Sequence, residues 1–579
     1  MSVVLSEHLR LLSTPPDGIQ KLRGLILELA VRGKLVPQDP SDEPASELLL
    51  RIIQEQARLE AAATRKRNSK SVVESNDSLS FDLPNGWASS ALGEVINIVR
   101  GITFPSSEKS KLPEPGRVMC LRTTNVQDKI EWEDVLYIRS EFVTREDQYL
   151  IANDIVMSMA NSRELVGKVA LADTRIDERV AFGGFLGVLR PILILPKFVM
   201  AFLRAPSIRS SLIDSASQTT NIANISLAKL RPLQFPIPPL AEQHRIVAKV
   251  DKLMALCDRL ETEQADAESA QAKLVETLLG TLTQSAGAAD FAENWKRIAQ
   301  HFDTLFTTEF SVDALKQAVL QLAVMGKLVP QEPNDEPSAR LIERVAQEKA
   351  RLDAKGSGKK AKPIPVVKED ETPFVAPEGW QWQRLEELLT ISGGVTLGRK
   401  LGERNLISRP YLRVANVQRG YLLLTQMKTI EVPVDEQDKY RLVEGDLLIT
   451  EGGDWDKVGR TAIWRNEIDD CLHQNHVFKA RRLTSDWNSR WTEMYLNAAP
   501  ARAYFAASSK QTTNLASINM TQLKACPFPV PPLPEQSRIV AKFDELMALC
   551  DHLRAELVES CARHERLAST LIESALKAA

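Results

Sequence analysis

Apolar residues recur at steps of three and four along two stretches of about 40 residues in this chain. From Ile246 the series runs through Val250, Leu253, Cys257 and Leu260, with Ala267, Leu274 and Leu278 further on. The second series is Ile539, Phe543, Leu546, Cys550, Leu553, Leu557, Leu567 and Leu571. This spacing predicts two long helices whose apolar seams face a partner, as in a coiled coil. Gln264 and Gln271 interrupt one seam, Ser560 and His564 the other. About 40 residues at ~1.5 Å each would make a rod of roughly 60 Å. Two ordinary core helices are the plainer alternative.

Shorter helices are predicted elsewhere. "GIQKLRGLILELAVRG" places Ile19, Leu22, Ile26 and Leu29 on one face, and Gly33 with Pro37 beyond it signals a stop. "SDEPASELLLRIIQEQARLEA" restarts a helix, with Ser41 or Asp42 as expected cap and Pro44 in its first turn. "RVMCLRTTNV", "DIVMSMA" and "KVALA" read as strands, and "PKFVMAFLRAPSIRSSLI" as one helix. "YLRVANV", "DLLITEG" and "TAIW" read as strands, and "SRWTEMYLNAAPARAYFAAS" as a helix. The polar linkers "ATRKRNSKSVVESNDS" and "AKGSGKKAKPIPVVKEDET" read as flexible.

These two sets of elements are one unit written twice. "LAVRGKLVPQ" at 29–38 returns as "LAVMGKLVPQ" at 322–331, with Arg32 against Met325 as the single change. A constant offset of 293 carries Ala30 to Ala323, His8 to His301 and Trp87 to Trp380. It also carries "QTTN" 218–221 to "QTTN" 511–514, and "EQHRIVAKVDKLMALCD" 242–258 to "EQSRIVAKFDELMALCD" 535–551. The middles, 88–216 and 381–509, share only fragments such as "LRTTNVQ" and "LRVANVQ". A repeated frame with varied middles suggests one scaffold presenting two different reading surfaces.

Length and composition add bounds. The chain has 579 residues, 44% hydrophobic and 26% charged, ordinary for soluble multidomain proteins. Six scattered cysteines without a C-x-x-C pair fit a reducing compartment. No signal peptide and no membrane span is expected. Net charge is −3, yet residues 88–235 hold 18 basic against 16 acidic side chains, and 380–527 hold 20 against 17. The acidic balance lies in the frame.

Catalytic signatures are missing. "IPPL" and "VPPL" lack the Asn or Asp and the aromatic of an amino-methyltransferase motif. "GGVTLGRK" has Arg399 where a phosphate loop needs Lys, so it reads as a turn. "HQNH" 473–476 shows no third metal ligand and reads as structural. Cys257 and Cys550 sit on the seams as small hydrophobes. No chemistry is expected from this chain itself, and no metal or cofactor.

Polar loops at strand ends hold the candidate DNA contacts. In the first copy these are Thr103, Arg122, Asn125, Ser158, Asn161, Arg163, Lys168, Thr219 and Asn221. In the second they are Thr396, Arg399, Lys400, Arg413, Asn416, Trp455, Lys457, Arg460, Thr512 and Asn514. Arg grips guanine bidentately, and Asn or Gln grips adenine. Lys168, Lys457 and Arg460 could instead hold phosphates. The identical "QTTN" pair fits capping or backbone contact better than base reading.

Together, "LAVRGKLVPQDPSDEP" with "LAVMGKLVPQEPNDEP", the "QTTN" pair, and "IPPLAEQHRIVAKVDKLM" with "VPPLPEQSRIVAKFDELM" resemble the specificity subunit of type I restriction-modification systems. The resemblance implies an α+β fold: two mixed α/β target-recognition domains joined by two long helices forming an antiparallel coiled coil, a pseudo-twofold tandem repeat. The expected divisions are 1–80 (helical region and linker), 81–236 (first reader), 237–372 (central spacer, corner and linker), 373–529 (second reader) and 530–579 (C-terminal spacer helix). The family implies a cytoplasmic, non-catalytic subunit that reads a bipartite, asymmetric site in double-stranded DNA. It also implies two modification subunits that methylate adenine N6 with S-adenosylmethionine bound in the partner, and restriction (translocase/endonuclease) subunits in a larger assembly. The competing readings are a coiled-coil adaptor that does not contact DNA and a fused enzyme.

Overall fold

A computed structural model describes residues 17–62, 81–163, 165–172, 179–218, 223–355, 365–453, 457–511 and 516–577. It divides into two units. Unit 1 comprises Met1–Ala267 with Glu559–Ala579, and unit 2 comprises Glu268–Val558.

Unit 1 opens with helices α1 (Gly18–Val31) and α2 (Ala45–Ala62). The strands among its described residues are β1 (Ala88–Ala91), β2 (Ile96–Arg100), β3 (Arg117–Leu121), β4 (Leu136–Arg139), β5 (Ile155–Ser158), β6 (Ala160–Asn161), β7 (Val169–Leu171), β8 (Val180–Phe182), β9 (Leu186–Pro191), β10 (Ser217–Gln218), β11 (Ala223–Asn224) and β12 (Gln234–Ile237). Between β9 and β10 lie α3 (Pro196–Arg204) and α4 (Pro206–Ser215). An antiparallel sheet runs β2-β9-β5-β7, and β4-β3-β8 forms a second in which β3 and β8 are parallel. A small sheet runs β10-β11-β6, and β1 pairs with β12. The long helix α5 (Leu240–Thr283) follows, and the division between the units falls within it.

Unit 2 repeats the plan. Helix α6 (Ala288–Gln300) precedes α7 (Glu309–Val324) and α8 (Ser338–Lys355). The strands are β13 (Gln381–Arg384), β14 (Leu389–Ser392), β15 (Leu406–Leu412), β16 (Lys428–Pro433), β17 (Leu447–Thr450), β18 (Gly452–Gly453), β19 (Thr461–Ile463), β20 (Leu472–His473), β21 (Val477–Arg482), β22 (Lys510–Gln511), β23 (Ala516–Ser517) and β24 (Pro527–Val530). The helices α9 (Ser489–Asn497), α10 (Ala499–Ser508) and α11 (Leu533–Lys577) complete it. Sheets β14-β21-β17-β19, β16-β15-β20 and β18-β23-β22 match those of unit 1 strand for strand.

The repeated decapeptide is a helix stop locked onto the long helix. Gly33 has φ +68°, and a Cβ there would lie 2.5 Å from the Pro84 ring and 2.8 Å from Trp87, so only glycine fits. Gly326 repeats this with φ +70° against Pro377 and Trp380. Gln38 reaches back to the Gly33 carbonyl and across to Glu242. Trp87 Nε1 donates to the same carboxylate at 3.0 Å, as Trp380 does to Glu535. Glu242 and Glu535 are each 1% exposed, and burial raises both carboxyls above the usual range. Trp87→Phe is therefore expected to cost about 1–3 kcal/mol, because it strips a donor from a buried carboxylate. Urea denaturation of the chain measures this, and a loss under ~0.5 kcal/mol would show that water replaces the indole.

The one letter that differs also has a physical reason. Glu28 is buried, accepts from the Ser207 N–H at 2.6 Å and pairs with Arg32 at 3.2 Å. At the matching place unit 2 has the uncharged Gln321, so no cation is required and Met325 suffices.

Five expectations are corrected. Helix α2 begins at Ala45, after Pro44, and Asp42 does not cap it. Its carboxylate instead takes two hydrogen bonds from Arg245, at 3.2 and 2.5 Å, and Asp335 does the same for Arg538. The helix read over 196–213 breaks at Ala205 (ψ 133°), where Pro206 forces its predecessor out of the helical region. Its counterpart over 489–508 breaks at Ala498, with Pro500 in the first turn of α10. The seams also shift: Leu274 and Leu567 are about half exposed, and Val275 and Ala568 take the buried places. A straight helix drifts about 20° per heptad against a 3.5 repeat, which rotates a later position out of the seam.

The last correction concerns the second linker. Linker residues 63–80 and 356–364 lie outside the described set, but 365–372 is docked. The buried Arg384 guanidinium needs acceptors and takes the Pro365 carbonyl (3.1 Å), the Ala525 carbonyl (2.8 Å) and Glu371 (2.6 Å).

Each core uses both long helices. In unit 1, Ile246, Val250 and Cys257 of α5 share a core with Ala568, Leu571 and Ile572 of α11. In unit 2, Val275, Leu279 and Leu282 of α5 share one with Ile539, Phe543 and Cys550 of α11. Opposite ends of the two helices thus meet within each unit, the pairing expected of antiparallel helices. Among the described residues, no helix is long and apolar enough to cross a membrane.

Candidate nucleic-acid interface

Four polar segments of unit 1 are linked edge to edge. The segment after β2 crosses the chain at Gly183, and Ile102 bridges Gly183 in parallel. A Cβ at Gly101 would lie 2.1 Å from the Gly183 carbonyl oxygen, so this crossing requires glycine. Gly183 N in turn donates to the Leu121 carbonyl at the end of β3 (2.8 Å). The turn that follows, 122–127, is tied to the loop after β6 by Lys168 Nζ on Gln127 Oε1 at 2.6 Å. That loop begins at β6, which pairs with β11 in the register Asn161↔Ala223 and so extends the sheet formed by β10 and β11.

Unit 2 builds the same chain of contacts from different residues. Val395 bridges Gln474, and a Cβ at Gly394 would lie 2.1 Å from the His473 oxygen. Gln474 N donates to Leu412 at 2.9 Å, Arg460 Nη1 donates to Gln418 Oε1 at 2.6 Å, and Gly453 pairs with Ala516.

The expected contact residues divide by burial and bonding. Thr103, Thr396 and Lys400 are exposed on the loops after β2 and β14. Asn161 is half-buried on β6, its Oδ1 accepting from Ser162 N. Arg163 is exposed and pairs with Asp214 at 3.3 Å. Lys457 is half-buried, and its carbonyl accepts from the Thr450 hydroxyl at 2.8 Å. Thr219, Asn221, Trp455, Thr512 and Asn514 lie outside the described residues, so only the strands that flank the two "QTTN" segments are placed.

Several candidates face inward instead. Asn125 and Asn416 are 2% and 3% exposed. Asn125 Oδ1 accepts from Arg122 N (3.0 Å), while Nδ2 donates to the Glu131 and Glu133 carbonyls. Asn416 is engaged the same way, from Arg413 N and to the Leu423 carbonyl. Both ends of each amide hold their own turn, so these residues shape the surface rather than touch a ligand. Ser158 is 1% exposed on β5, inside the sheet.

Three of the arginines are also engaged. Arg122 donates to the Asp134 carbonyl at 2.8 Å and to its carboxylate, and Lys111 and Arg122 hold that carboxyl below its usual range. Arg413 donates to the Gln426 carbonyl at 2.9 Å. Arg399 pairs with Glu436 at 2.7 Å and lies over the Tyr440 ring at 5.8 Å. Arg399 and Arg404 together hold Glu436 below the usual carboxylate range.

The other motifs resolve structurally. "GGVTLGRK" turns at Leu397–Gly398. His473 is buried, donates Nδ1–H to the Val477 carbonyl at 2.7 Å, and burial lowers its pKa to about 4. His476 pairs with Glu451. Among the described residues, no group of three or more His, Cys, Asp or Glu is placed to hold a metal.

Sequence reasoning missed Gln127 and Gln418. Their signal was present: both end the shared "NVQ" fragments inside otherwise divergent middles.

A family model described as "Type I restriction modification DNA specificity domain" matches residues 84–268 and 377–559. The chain is 34% identical over 575 residues to the type I restriction enzyme EcoEI specificity subunit of Escherichia coli, covering 96% of this chain and 94% of that one. It is 35% identical over 572 residues to the EcoAI specificity subunit of the same organism, with the same coverage of both chains. A crystal structure of the HsdS subunit from Thermoanaerobacter tengcongensis covers 86% of this chain and 98% of that one, at 18% identity and TM-score 0.39.

Proposed function

Because the chain belongs to the type I restriction modification DNA specificity family, we propose that each unit reads one half of a bipartite, asymmetric site in double-stranded DNA. The chain is a non-catalytic specificity subunit with two target-recognition domains. In this reading the long helices set the gap between the half-sites. The duplicated frame docks two modification subunits, which flip and methylate adenine N6 with S-adenosylmethionine bound in the partner. Restriction subunits join the same assembly, and the complex works in the cytoplasm.

One observation carries the proposal: two units share strand order and hydrogen-bonded frame while their polar loops differ. A frame written twice in one chain suits two copies of one partner. Loops that differ suit two different half-sites, because base edges are read by side-chain chemistry.

The test is base-resolved methylation mapping of DNA from cells that carry this gene with its neighbouring modification gene. A new motif of two defined halves and a fixed undefined gap is expected. With both proteins expressed and associated, no new motif would favour the adaptor reading. Exchanging 88–216 for another reading domain is expected to change one half only, and a change in both halves would show that the domains are not independent.

A further inference from the structure

We propose that Gln127 and Gln418 are positioning residues that hold Lys168 and Arg460 as phosphate clamps, one in each reading domain. The inference rests on the DNA-reading function above and assigns a part of that surface which is independent of sequence.

The geometry is the same in both units although the surrounding loops differ. Gln127 Nε2 donates to the Thr124 carbonyl at 3.1 Å, three residues back, and its Oε1 accepts from Lys168 Nζ at 2.6 Å. Gln418 Nε2 donates to the Ala415 carbonyl at 3.0 Å, and its Oε1 accepts from Arg460 Nη1 at 2.6 Å. Each glutamine is fixed at its donor end, so its acceptor end points one way. The cation's backbone is pinned too: Ser158 N donates to the Lys168 carbonyl at 2.9 Å, and Thr450 N to the Arg460 carbonyl at 3.0 Å.

Charge distinguishes these two cations from the paired arginines around them. Arg122, Arg163 and Arg399 each pair with a carboxylate. Among the described residues, Lys168 and Arg460 pair with none and rest on a neutral amide. A neutral acceptor orients a cation and leaves its charge intact, whereas a carboxylate would cancel it. A half-buried, oriented and uncompensated cation is suited to an anion, and the anion of duplex DNA is the backbone phosphodiester.

The exchange of Lys for Arg between the units favours phosphate over base. A bidentate contact uses the planar guanidinium fork, which an ammonium does not reproduce. A phosphate oxygen accepts from either, and such contacts position without specifying. Domains that read different half-sites vary their base contacts, while a device that sets the backbone at a fixed height recurs in both.

The test uses the complete complex with its modification subunit and a duplex that carries its mapped site. Affinity is measured between 50 and 200 mM salt. Lys168→Ala and Arg460→Ala are each expected to make the slope of log affinity against log salt shallower by about one, so the loss of affinity over that range shrinks about fourfold. Gln127→Glu is expected to match Lys168→Ala, because the new carboxylate pairs with the lysine and cancels its charge. Gln127→Leu, which keeps the charge and frees the side chain, is expected to weaken binding with the slope nearly unchanged.

The methylated motif should stay the same in every variant, and thermal melting of each complex checks folding. A changed base preference in one half would overturn the clamp in favour of base reading. A slope equal to wild type in both alanine variants would overturn it outright. If the wild-type complex itself does not prefer its site, the DNA-reading proposal fails instead, so the two failures are distinguishable.

Discussion

Truncation of Arg190 to alanine is expected to destabilise the first reading domain by about 3–5 kcal/mol, because it leaves a buried carboxylate without its cation. Asp154 is 1% exposed and meets Arg190 Nε at 2.8 Å and Nη2 at 2.9 Å. The arginine also donates to the Tyr149 carbonyl at 2.6 Å, and Asp154 accepts from Ile151 N at 2.9 Å. Burial already holds the Asp154 carboxyl above the usual aspartate range, although Arg190 pulls it down. Without the arginine, burial acts unopposed except for one backbone N–H, and the carboxyl rises further.

The direction with pH follows. A carboxyl whose folded pKa lies above its unfolded value penalises the fold where it must ionise, and the penalty fades as pH falls toward the unfolded value. The deficit of Arg190→Ala is therefore expected to shrink from pH 7 toward pH 5. Arg190→Lys keeps the charge without the fork and is expected to fall between wild type and alanine. Urea denaturation at both pH values measures this. A deficit below ~1 kcal/mol, or one that grows on acidification, would show that water or another donor replaces the guanidinium. The matching pair, Arg481 with Asp446, has the same bidentate form at 2.7 Å. Its arginine is about one third exposed, so Arg481→Ala is expected to cost less.

That buried pair was invisible in the sequence, where Asp154 and Arg190 are two charges 36 residues apart, and the reason shows what a sequence can disclose. The long helices were legible because a 3–4 apolar period sustained over 40 residues has few alternatives. The helix corner was legible because Gly33 and Gly326 sit in a repeated word. Strands β6, β10 and β11 are two residues each, too short for any period, so the sheet that carries the "QTTN" flanks could not be read.

The site was legible in its segments and not in its side chains. The segments after β2, β3 and β6 and the β10–β11 pair do adjoin one another. Within them, Asn125 and Asn416 face inward, and their identity in the two copies, like that of "QTTN", marks them as frame residues. A polar residue identical in two domains with different targets belongs to the frame. Gln127 and Gln418 are of this kind, since both end the "NVQ" that the two domains share. What periodicity cannot supply is which end of an amide finds a partner, since that depends on contacts such as Asn125 with Glu131 and Glu133, set by the fold of the intervening loop.

Inserting one heptad into each long helix is expected to abolish modification of the original site, by at least 100-fold, and to create a site with a longer gap. The places suited to it are the exposed stretches. Of residues 261–270 only Gln264 is partly buried, so a heptad after Ala267 in α5 spares both cores. A matching heptad between Val558 and Glu559 of α11 keeps the paired seams in register. Seven residues lengthen a helix by about 10 Å and leave its rotation within about 20°. That length corresponds to about 3 base pairs, at ~3.4 Å per step along the duplex.

On the original site, one reading domain would then meet bases shifted by that distance. Losing even two correct base contacts at ~1–3 kcal/mol each accounts for a 100-fold deficit. Each half of the new motif should be unchanged, because neither set of reading loops is altered. Methylation mapping of cells that carry the lengthened subunit with the modification gene reads gap and halves together. An unchanged gap would remove the spacer role from the helices. Altered halves would mean that the helices shape the reading surfaces themselves, and the two domains would no longer count as independent readers on a common ruler.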